Sequence, residues 1–161
     1  MDGKGDTIWM TQPSAQPQTG DIGDLLCFSI YSAQHAFNQF YRPLLERLGL
    51  TYPQYLVMMA LWLEDGRTVK ELGSALRLES NTLTPLLKRL EGQGYVTRTR
   101  DPKDERQVRV RLTEEGRAMK APAAEVPQCV FDAAGMDEAE MADLVRKISA
   151  LRDRLAERAG G

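Results

Sequence analysis

Apolar residues recur at helical spacing near both ends of the chain. In residues 21–48 they cover most of the helix circumference, which is expected of a helix buried on several sides at a subunit interface: Leu25, Leu26, Phe28, Ile30, Phe37, Phe40, Leu44, Leu45 and Leu48. Pro43 is expected to kink or break this helix near its end. Residues 136–155 carry one apolar face, formed by Met141, Leu144, Val145, Ile148, Leu151 and Leu155. We predict that both helices pack against a partner.

The middle of the chain predicts a core helix followed by a helix–turn–helix. Residues 53–64 are almost continuously apolar, which is typical of a central helix. Thr68 and Glu71 form a capping box at the start of a short helix. After a turn at residues 78–80, a second helix from about Asn81 to Gln93 turns four leucines inward. Pro85 leaves two starts open, because a cap at Ser80 costs a backbone bond whereas a cap at Thr84 starts the helix late.

Two short alternating stretches then predict a β-hairpin. In residues 107–112, Val108, Val110 and Leu112 alternate with Arg109 and Arg111, so one face of the hairpin is basic. The residues between the strands are rich in Pro, Asp and Lys, which suits a turn. Helix, turn, helix and ribbon together predict an α+β, mostly α fold. The fold class is a winged helix–turn–helix with long N- and C-terminal dimerisation helices.

These elements predict a single compact domain with three regions. Residues 1–20 are rich in Gly, Pro and Gln and are expected to form a flexible tail. Residues 21–50 and 114–158 form the helical dimerisation region, and residues 51–113 form the winged helix–turn–helix. A dimer of this kind is expected to recognise a pseudo-palindromic site.

Charge is distributed unevenly along the chain. The net charge of −2 and the pI of about 5.5 argue against a nucleic-acid partner when taken globally. Residues 86–111, however, hold eight basic and four acidic residues, whereas the rest of the chain has a net charge of −6. A basic stripe on an acidic body favours focused contact with the phosphates of double-stranded DNA.

The second helix and the ribbon supply the candidate DNA contacts. The candidates for reading base edges lie at the start of the helix and are Ser80, Asn81, Thr82 and Thr84. The candidates for phosphate or minor-groove contact are Lys88, Arg89, Arg98, Lys103, Arg106 and Arg109. The alternative is a winged helix that binds proteins and has a merely solvated arginine face. That alternative predicts no duplex binding with the steep salt dependence of phosphate contacts.

Several classes of function are disfavoured. No run of 18 apolar residues or signal-like segment is present in the sequence, so a cytoplasmic protein without membrane contact is expected. No nucleotide-binding motif is found, and Cys27 and Cys129 match no metal spacing, so no cofactor or metal is predicted. A thiol peroxidase would need an acid–base partner beside Cys27, and His35 lies about 12 Å along the same helix. An enzyme is therefore not expected.

Four segments resemble the MarR family of transcriptional regulators, and specifically its organic-hydroperoxide sensor branch. They are LCFSIYSAQ, GLTYPQYLVMMALW, LTPLLKRLE and the wing DPKDERQVRVRLTEEG, within a resemblance that spans residues 21–155. The resemblance implies a homodimeric repressor whose early cysteine is oxidised by an organic hydroperoxide, which lowers its affinity for the operator. A MarR-type repressor released by a small aromatic or phenolic ligand is the alternative. Replacing Cys27 with Ser distinguishes the two.

The resemblance also assigns roles to residues of the sensor. Cys27 matches the peroxide-reacting cysteine and Cys129 the resolving cysteine, while Tyr41 and Tyr52 match tyrosines that hydrogen-bond the reactive cysteine across the dimer. Tyr41 lies 14 residues beyond Cys27, about 21 Å along a continuous helix, which favours contact from a partner subunit. Tyr31 shares the helix face of Cys27 at i+4. Phe28 adds an apolar wall to this predicted sensor pocket.

Overall fold

The computed structural model describes residues 21–159, so the predicted tail at residues 1–20 lies outside the described residues. A 3₁₀ turn, Ile22–Asp24, precedes eight α-helices and one hairpin in this part of the chain. The helices are α1 (Leu26–Glu46), α2 (Tyr52–Leu63), α3 (Val69–Leu76), α4 (Ser80–Gly92), α5 (Glu114–Ala118), α6 (Lys120–Ala123), α7 (Glu125–Ala134) and α8 (Glu138–Ala159), and the strands are β1 (Val96–Arg100) and β2 (Val108–Leu112). The predicted winged helix–turn–helix fold class is confirmed.

The chain divides into two units, with the boundary after Gln39. The described part of the first unit holds the 3₁₀ turn and the first residues of α1, and Asp21 caps the turn by accepting a hydrogen bond from the Gly23 N–H. Helix α1 continues to Glu46, three residues beyond Pro43, so the proline lies within the helix. No helix in residues 21–159 is long and apolar enough to cross a membrane.

The core of the second unit lies between α2, α3, α4 and the hairpin. Helix α2 is buried along most of its length, as its apolar sequence predicts, and Val57 and Met58 are fully buried. Leucines from α3 and α4 complete the core: Leu72, Leu83, Leu87 and Leu90. Each side chain of this size that is removed from water stabilises the fold by about 1.5–3 kcal/mol.

Capping side chains fix the starts of the helices. The predicted box at Thr68 and Glu71 is confirmed, with Glu71 Oε2 accepting from the Thr68 N–H at 2.6 Å. The start of α4 differs from both predicted positions, because Glu79 is the N-cap and Ser80 is already helical. Pro85 therefore lies inside α4, where its missing N–H removes one helical hydrogen bond. Tertiary burial of the α4 leucines outweighs that local loss.

The hairpin is antiparallel and pairs Val96 with Leu112 and Arg100 with Val108. Its inward residues match the alternation in the sequence, since Val110 and Leu112 are buried. The loop between α2 and α3 adds to the outer edge of β2, where the Val110 N–H donates to the Arg67 carbonyl at 2.8 Å. The wing is thereby attached to the start of the helix–turn–helix.

Asp65 anchors this loop to the base of the wing. Its carboxylate accepts hydrogen bonds from the backbone N–H groups of Gly66 and Leu112 and from Arg117, each at 2.8 Å. Burial by itself would raise the pKa of Asp65, but these hydrogen bonds outweigh it and hold the pKa below its ordinary value. The carboxylate therefore stays charged and ties the loop, β2 and α5 together.

Candidate nucleic-acid interface and cysteine site

The first turns of α4 present the residues that the sequence proposes for base reading. Ser80, Asn81 and Thr82 are exposed at the start of the helix. Thr84 is half-buried and its hydroxyl donates to the Ser80 carbonyl at 2.7 Å, so this hydroxyl already has a partner. Lys88, one turn later, is exposed together with the adjacent Arg89. One face of α4 thus carries polar groups at its start and cations towards its end.

Two of the proposed wing arginines form ion pairs within the protein. Arg98 donates to Glu91 from Nε at 2.9 Å and from Nη2 at 2.6 Å, which joins β1 to α4. The Arg98 guanidinium holds the pKa of Glu91 below its ordinary value. Arg109 donates from Nε to Asp101 at 2.9 Å and also contacts the Gly66 carbonyl. These arginines brace the wing as well as contributing charge to it.

The outer wing carries the cations that point into solvent. Lys103 and Arg106 lie exposed at its tip, as the sequence predicts. Arg100 and Arg111 are also exposed on the strands, although sequence reasoning assigned them no role. The alternation along β2 was the available signal for Arg111, which lies between the buried Val110 and Leu112. These exposed cations, like those of α4, are groups suited to phosphates.

Asp101 shapes the tip of the wing. It is 5% exposed, and its carboxylate accepts from the Lys103 N–H at 2.8 Å and from Arg109. The Lys103 backbone hydrogen bond and then the Arg109 side chain hold the pKa of Asp101 below its ordinary value. A charged Asp101 keeps the turn closed and projects Lys103 outward.

Cys27 is the second residue of α1 and is exposed. This position is near the positive end of the helix dipole, and its exposure leaves the thiol accessible to a reactant in solution. Tyr31, on the same helix face, is also exposed, and its ring contacts Phe28 at 6.4 Å and His35 at 4.7 Å between centroids. His35 is therefore part of an aromatic stack.

The predicted sensor tyrosines lie in the second unit and contact each other. The Tyr41 and Tyr52 ring centroids are 4.8 Å apart, and those of Tyr41 and Tyr55 are 6.2 Å apart. Burial, with contributions from Tyr52 and Tyr55, raises the pKa of Tyr41 to about 12. Burial raises the pKa of Tyr52 as well. Both phenols keep their protons at neutral pH and can donate hydrogen bonds.

Tyr55 is the member of this tyrosine cluster that sequence reasoning missed. It is 4% exposed and also contacts Trp62 at 6.4 Å. The available signal was its i+3 spacing from Tyr52 on α2, which places both rings on one helix face. Cys129, the proposed resolving residue, lies in α7 of the same unit and is partly exposed. Both cysteines are free thiols.

Comparison with known proteins gives relatives that are all described as transcriptional regulators. Residues 39–122 match the family described as transcriptional regulator SarA/Rot. The chain is 48% identical over 152 residues to the HTH-type transcriptional regulator TtmR of Methylorubrum extorquens (strain PA1), covering 91% of this chain and 78% of that protein. It is 43% identical over 126 residues to the organic hydroperoxide resistance transcriptional regulator of Bacillus subtilis (strain 168), covering 78% and 84%.

A solved structure agrees in fold and sequence. Reduced AbfR of Staphylococcus epidermidis bound to DNA superposes with a TM-score of 0.71 and 36% identity. The match covers 82% of this chain and 90% of that one. The fold, the wing and these relatives agree with the resemblance found in the sequence. The chain belongs to the MarR/SarA type of winged helix–turn–helix transcriptional regulators.

Proposed function

We propose that this chain is a homodimeric repressor that releases a pseudo-palindromic operator when an organic hydroperoxide oxidises Cys27. The observation that carries the proposal is the exposed position of Cys27 in the first turn of α1. The similarity to an organic hydroperoxide resistance regulator supports the choice of oxidant. Its relatives are transcriptional regulators, which favours a single oxidation event over catalytic turnover of peroxide.

DNA binding is proposed through α4 and the wing. The exposed face of α4 suits the major groove, with Ser80, Asn81 and Thr82 towards base edges and Lys88 and Arg89 towards phosphates. The wing tip then reaches the neighbouring backbone or minor groove with the cations Arg100, Lys103 and Arg106, while Arg111 adds charge near the base of the wing. Arg98 and Arg109 contribute mainly by holding the wing in place. The DNA complex of the relative AbfR supports this assignment.

Dimerisation is proposed because both terminal helices expose large apolar side chains. On α8, Val145, Ile148 and Leu155 are 54–58% exposed. On α1, Ile30 is 46% and Phe37 51% exposed. Contiguous apolar surface of this kind marks an interaction site in a globular protein. A second copy that covers these faces also brings its own tyrosine cluster to Cys27, which completes the sensor pocket with Phe28 and Tyr31.

The chemistry begins with attack by the Cys27 thiolate on the terminal oxygen of the hydroperoxide. The O–O bond breaks as the S–O bond forms, the alkoxide takes a proton and leaves as the alcohol, and Cys27 becomes a sulfenic acid. In this proposal, phenol protons from Tyr41 and Tyr52 stabilise the anionic sulfur before attack. The Cys129 thiolate then attacks the sulfenic sulfur, and a disulfide forms as water leaves.

The test is a titration of a labelled operator fragment with reduced protein and with protein treated with one equivalent of cumene hydroperoxide. We expect oxidised wild type to bind more weakly, reduction by dithiothreitol to restore binding, and Cys27→Ser to bind equally with and without oxidant. Ser29→Ala removes an exposed hydroxyl two residues from Cys27 and keeps both thiols, and serves as the matched control. DNA affinity that oxidation leaves unchanged contradicts the proposal.

A second candidate is release by a small aromatic ligand without redox chemistry. The observation that favours it is an apolar cleft of about 150 Å³ between α2 and the helices that follow the wing. The cleft is lined by Met59, Trp62, Leu63, Lys120, Ala123, Ala124 and Pro127. Under this function, Cys27→Ser responds to the inducer as wild type does. Retained induction of that variant therefore selects the second candidate.

A further inference from the structure

Two glutamine side chains join the start of α2 to the end of α4. The Gln54 amide nitrogen donates to Gln93 Oε1 at 3.1 Å, and the Gln93 amide nitrogen donates to the Gly49 carbonyl at 2.9 Å. Gln54 Oε1 in turn accepts from the N–H of Thr51 at 2.9 Å and from its hydroxyl at 3.1 Å. Each amide uses both its donor and its acceptor, so this amide bridge has a defined orientation.

The two ends of the amide bridge lie at functional positions. Gln54 is on the first turn of α2 between Tyr52 and Tyr55, two members of the tyrosine cluster. Gln93 is the C-cap of α4, where its backbone N–H donates to the Arg89 carbonyl, and two residues separate it from β1. The bridge therefore runs from the tyrosines to the point where α4 ends and the wing begins.

Burial of Gln54 makes one end of the amide bridge hard to break. Gln54 is 4% exposed, whereas Gln93 at the other end of the bridge is exposed. A buried amide that loses its partner bears the full cost of desolvation, so a displacement of the first turn of α2 favours movement of Gln93 with it. The hydrogen bond from Gln93 to the Gly49 carbonyl also connects the turn between α1 and α2 to the amide bridge.

We propose that Gln93 is a positioning residue that transmits a displacement of the tyrosine cluster to the end of the recognition helix α4. This inference rests on the proposed function, in which a second copy of the chain brings its tyrosine cluster to Cys27 and oxidation of Cys27 disturbs that cluster. Movement of Tyr52 shifts the first turn of α2, Gln54 carries the shift to Gln93, and the C-terminal end of α4 moves with the base of the wing. The spacing of the two recognition helices in the dimer changes accordingly.

The test compares oxidation with its effect on DNA binding in the full-length protein. Two variants interrupt the amide bridge in different ways. Gln93→Ala removes it, whereas Gln54→Glu keeps the oxygens that cap α2 and loses the N–H groups that reach Gln93. For each we would measure the rate of Cys27 oxidation by cumene hydroperoxide and the operator Kd of reduced and oxidised protein. Arg42→Ala, which removes an exposed link to Glu46 on α1, is the control.

We expect both bridge variants to oxidise at the wild-type rate, while the ratio of oxidised to reduced Kd falls about fivefold or more relative to wild type. Arg42→Ala should keep the wild-type ratio. If Gln93→Ala and Gln54→Glu both keep the wild-type ratio of oxidised to reduced Kd, the inference is overturned and the proposed function stays intact. If oxidation leaves the Kd of the wild type itself unchanged, the proposed function fails first and the inference fails with it.

Discussion

Gly116 is the residue where the wing meets the helices that follow it, and replacing it with Ala tests the packing at this junction. A Cβ at this position would lie 2.0 Å from the Tyr95 carbonyl oxygen, whereas ordinary contact begins at 3.4 Å. The carbonyl is held in place because it accepts from the Thr113 N–H at 3.0 Å. Gly116 is held as well, since its own carbonyl accepts from Trp62 Nε1 at 2.8 Å. The methyl group therefore has to push two fixed backbone segments apart.

The expected cost follows from these contacts. Overpacking in a close-packed interior destabilises by about 1–3 kcal/mol. Separation of the segments also weakens the Thr113–Tyr95 and Trp62–Gly116 hydrogen bonds, each with a net contribution of about 1 kcal/mol. We expect Gly116→Ala to lower the free energy of unfolding by about 3–5 kcal/mol, a large part of the stability of a typical domain.

The assay is urea unfolding followed by circular dichroism at one fixed protein concentration, since the stability of a dimer depends on concentration. Gly92→Ala is the matched control, because a Cβ there meets nothing within 4 Å and Gly92 is the last residue of α4. Ala at this helical site should raise stability by about 0.5–1 kcal/mol. A loss below about 1 kcal/mol for Gly116→Ala would refute the close approach of Tyr95 and Gly116 in solution.

Three further predictions follow from the core, the wing anchor and α8. Leu72→Ala, at a side chain that is 0% exposed, should lower the free energy of unfolding by about 2–5 kcal/mol in urea, and a loss under about 1 kcal/mol would contradict its full burial. The lowered pKa of Asp65 stabilises the fold above the ordinary Asp pKa of about 4, and this contribution is lost as pH falls through the lower folded value. Wild type should therefore exceed Asp65→Asn in urea midpoint at pH 7, and the two midpoints should converge as the pH falls below about 4; a constant difference would contradict the charge argument. The Arg77–Asp153 pair links the turn before α4 to α8 at 3.1 Å, so the Arg77→Asp and Asp153→Arg variants should each lower Tm slightly and the double variant should recover it. A coupling between the two positions is expected at low salt, and a coupling that persists unchanged in 1 M salt would argue against an ion pair.

Local signals in the sequence were sufficient to predict most of the elements. The capping box at Thr68 and Glu71 and the alternation of Val108, Val110 and Leu112 each depend on residues a few positions apart. Such short-range patterns are set by backbone geometry and side-chain periodicity, so they survive without knowledge of the fold. The start of α4 was misplaced because the prediction relied on such a local signal alone. Pro85 suggested a late start or a cap at Ser80, but burial of Leu83 and Leu87 favours a helix that begins earlier.

The sequence by itself also indicated which residues bear charge and chemistry. It placed the basic stripe in residues 86–111 and singled out Cys27 and the tyrosines at positions 41 and 52. The motifs that resemble one family carried the functional hypothesis, because composition and spacing alone leave a free cysteine without a role. The relatives later agreed with the family identified in this way.

Only the tertiary structure decided how these residues are used. Arg98 and Arg109 look like free cations in the sequence, yet Glu91 and Asp101 hold them as braces of the wing. Nothing in the sequence distinguishes Gly116 from the other glycines among the 13, and only the structure shows that the Tyr95 carbonyl leaves no room for a side chain there. The bridge from Gln54 to Gln93 joins residues 39 positions apart. Such contacts depend on how distant segments pack in three dimensions, and hydrophobic periodicity specifies which face is buried but not which side chain it meets.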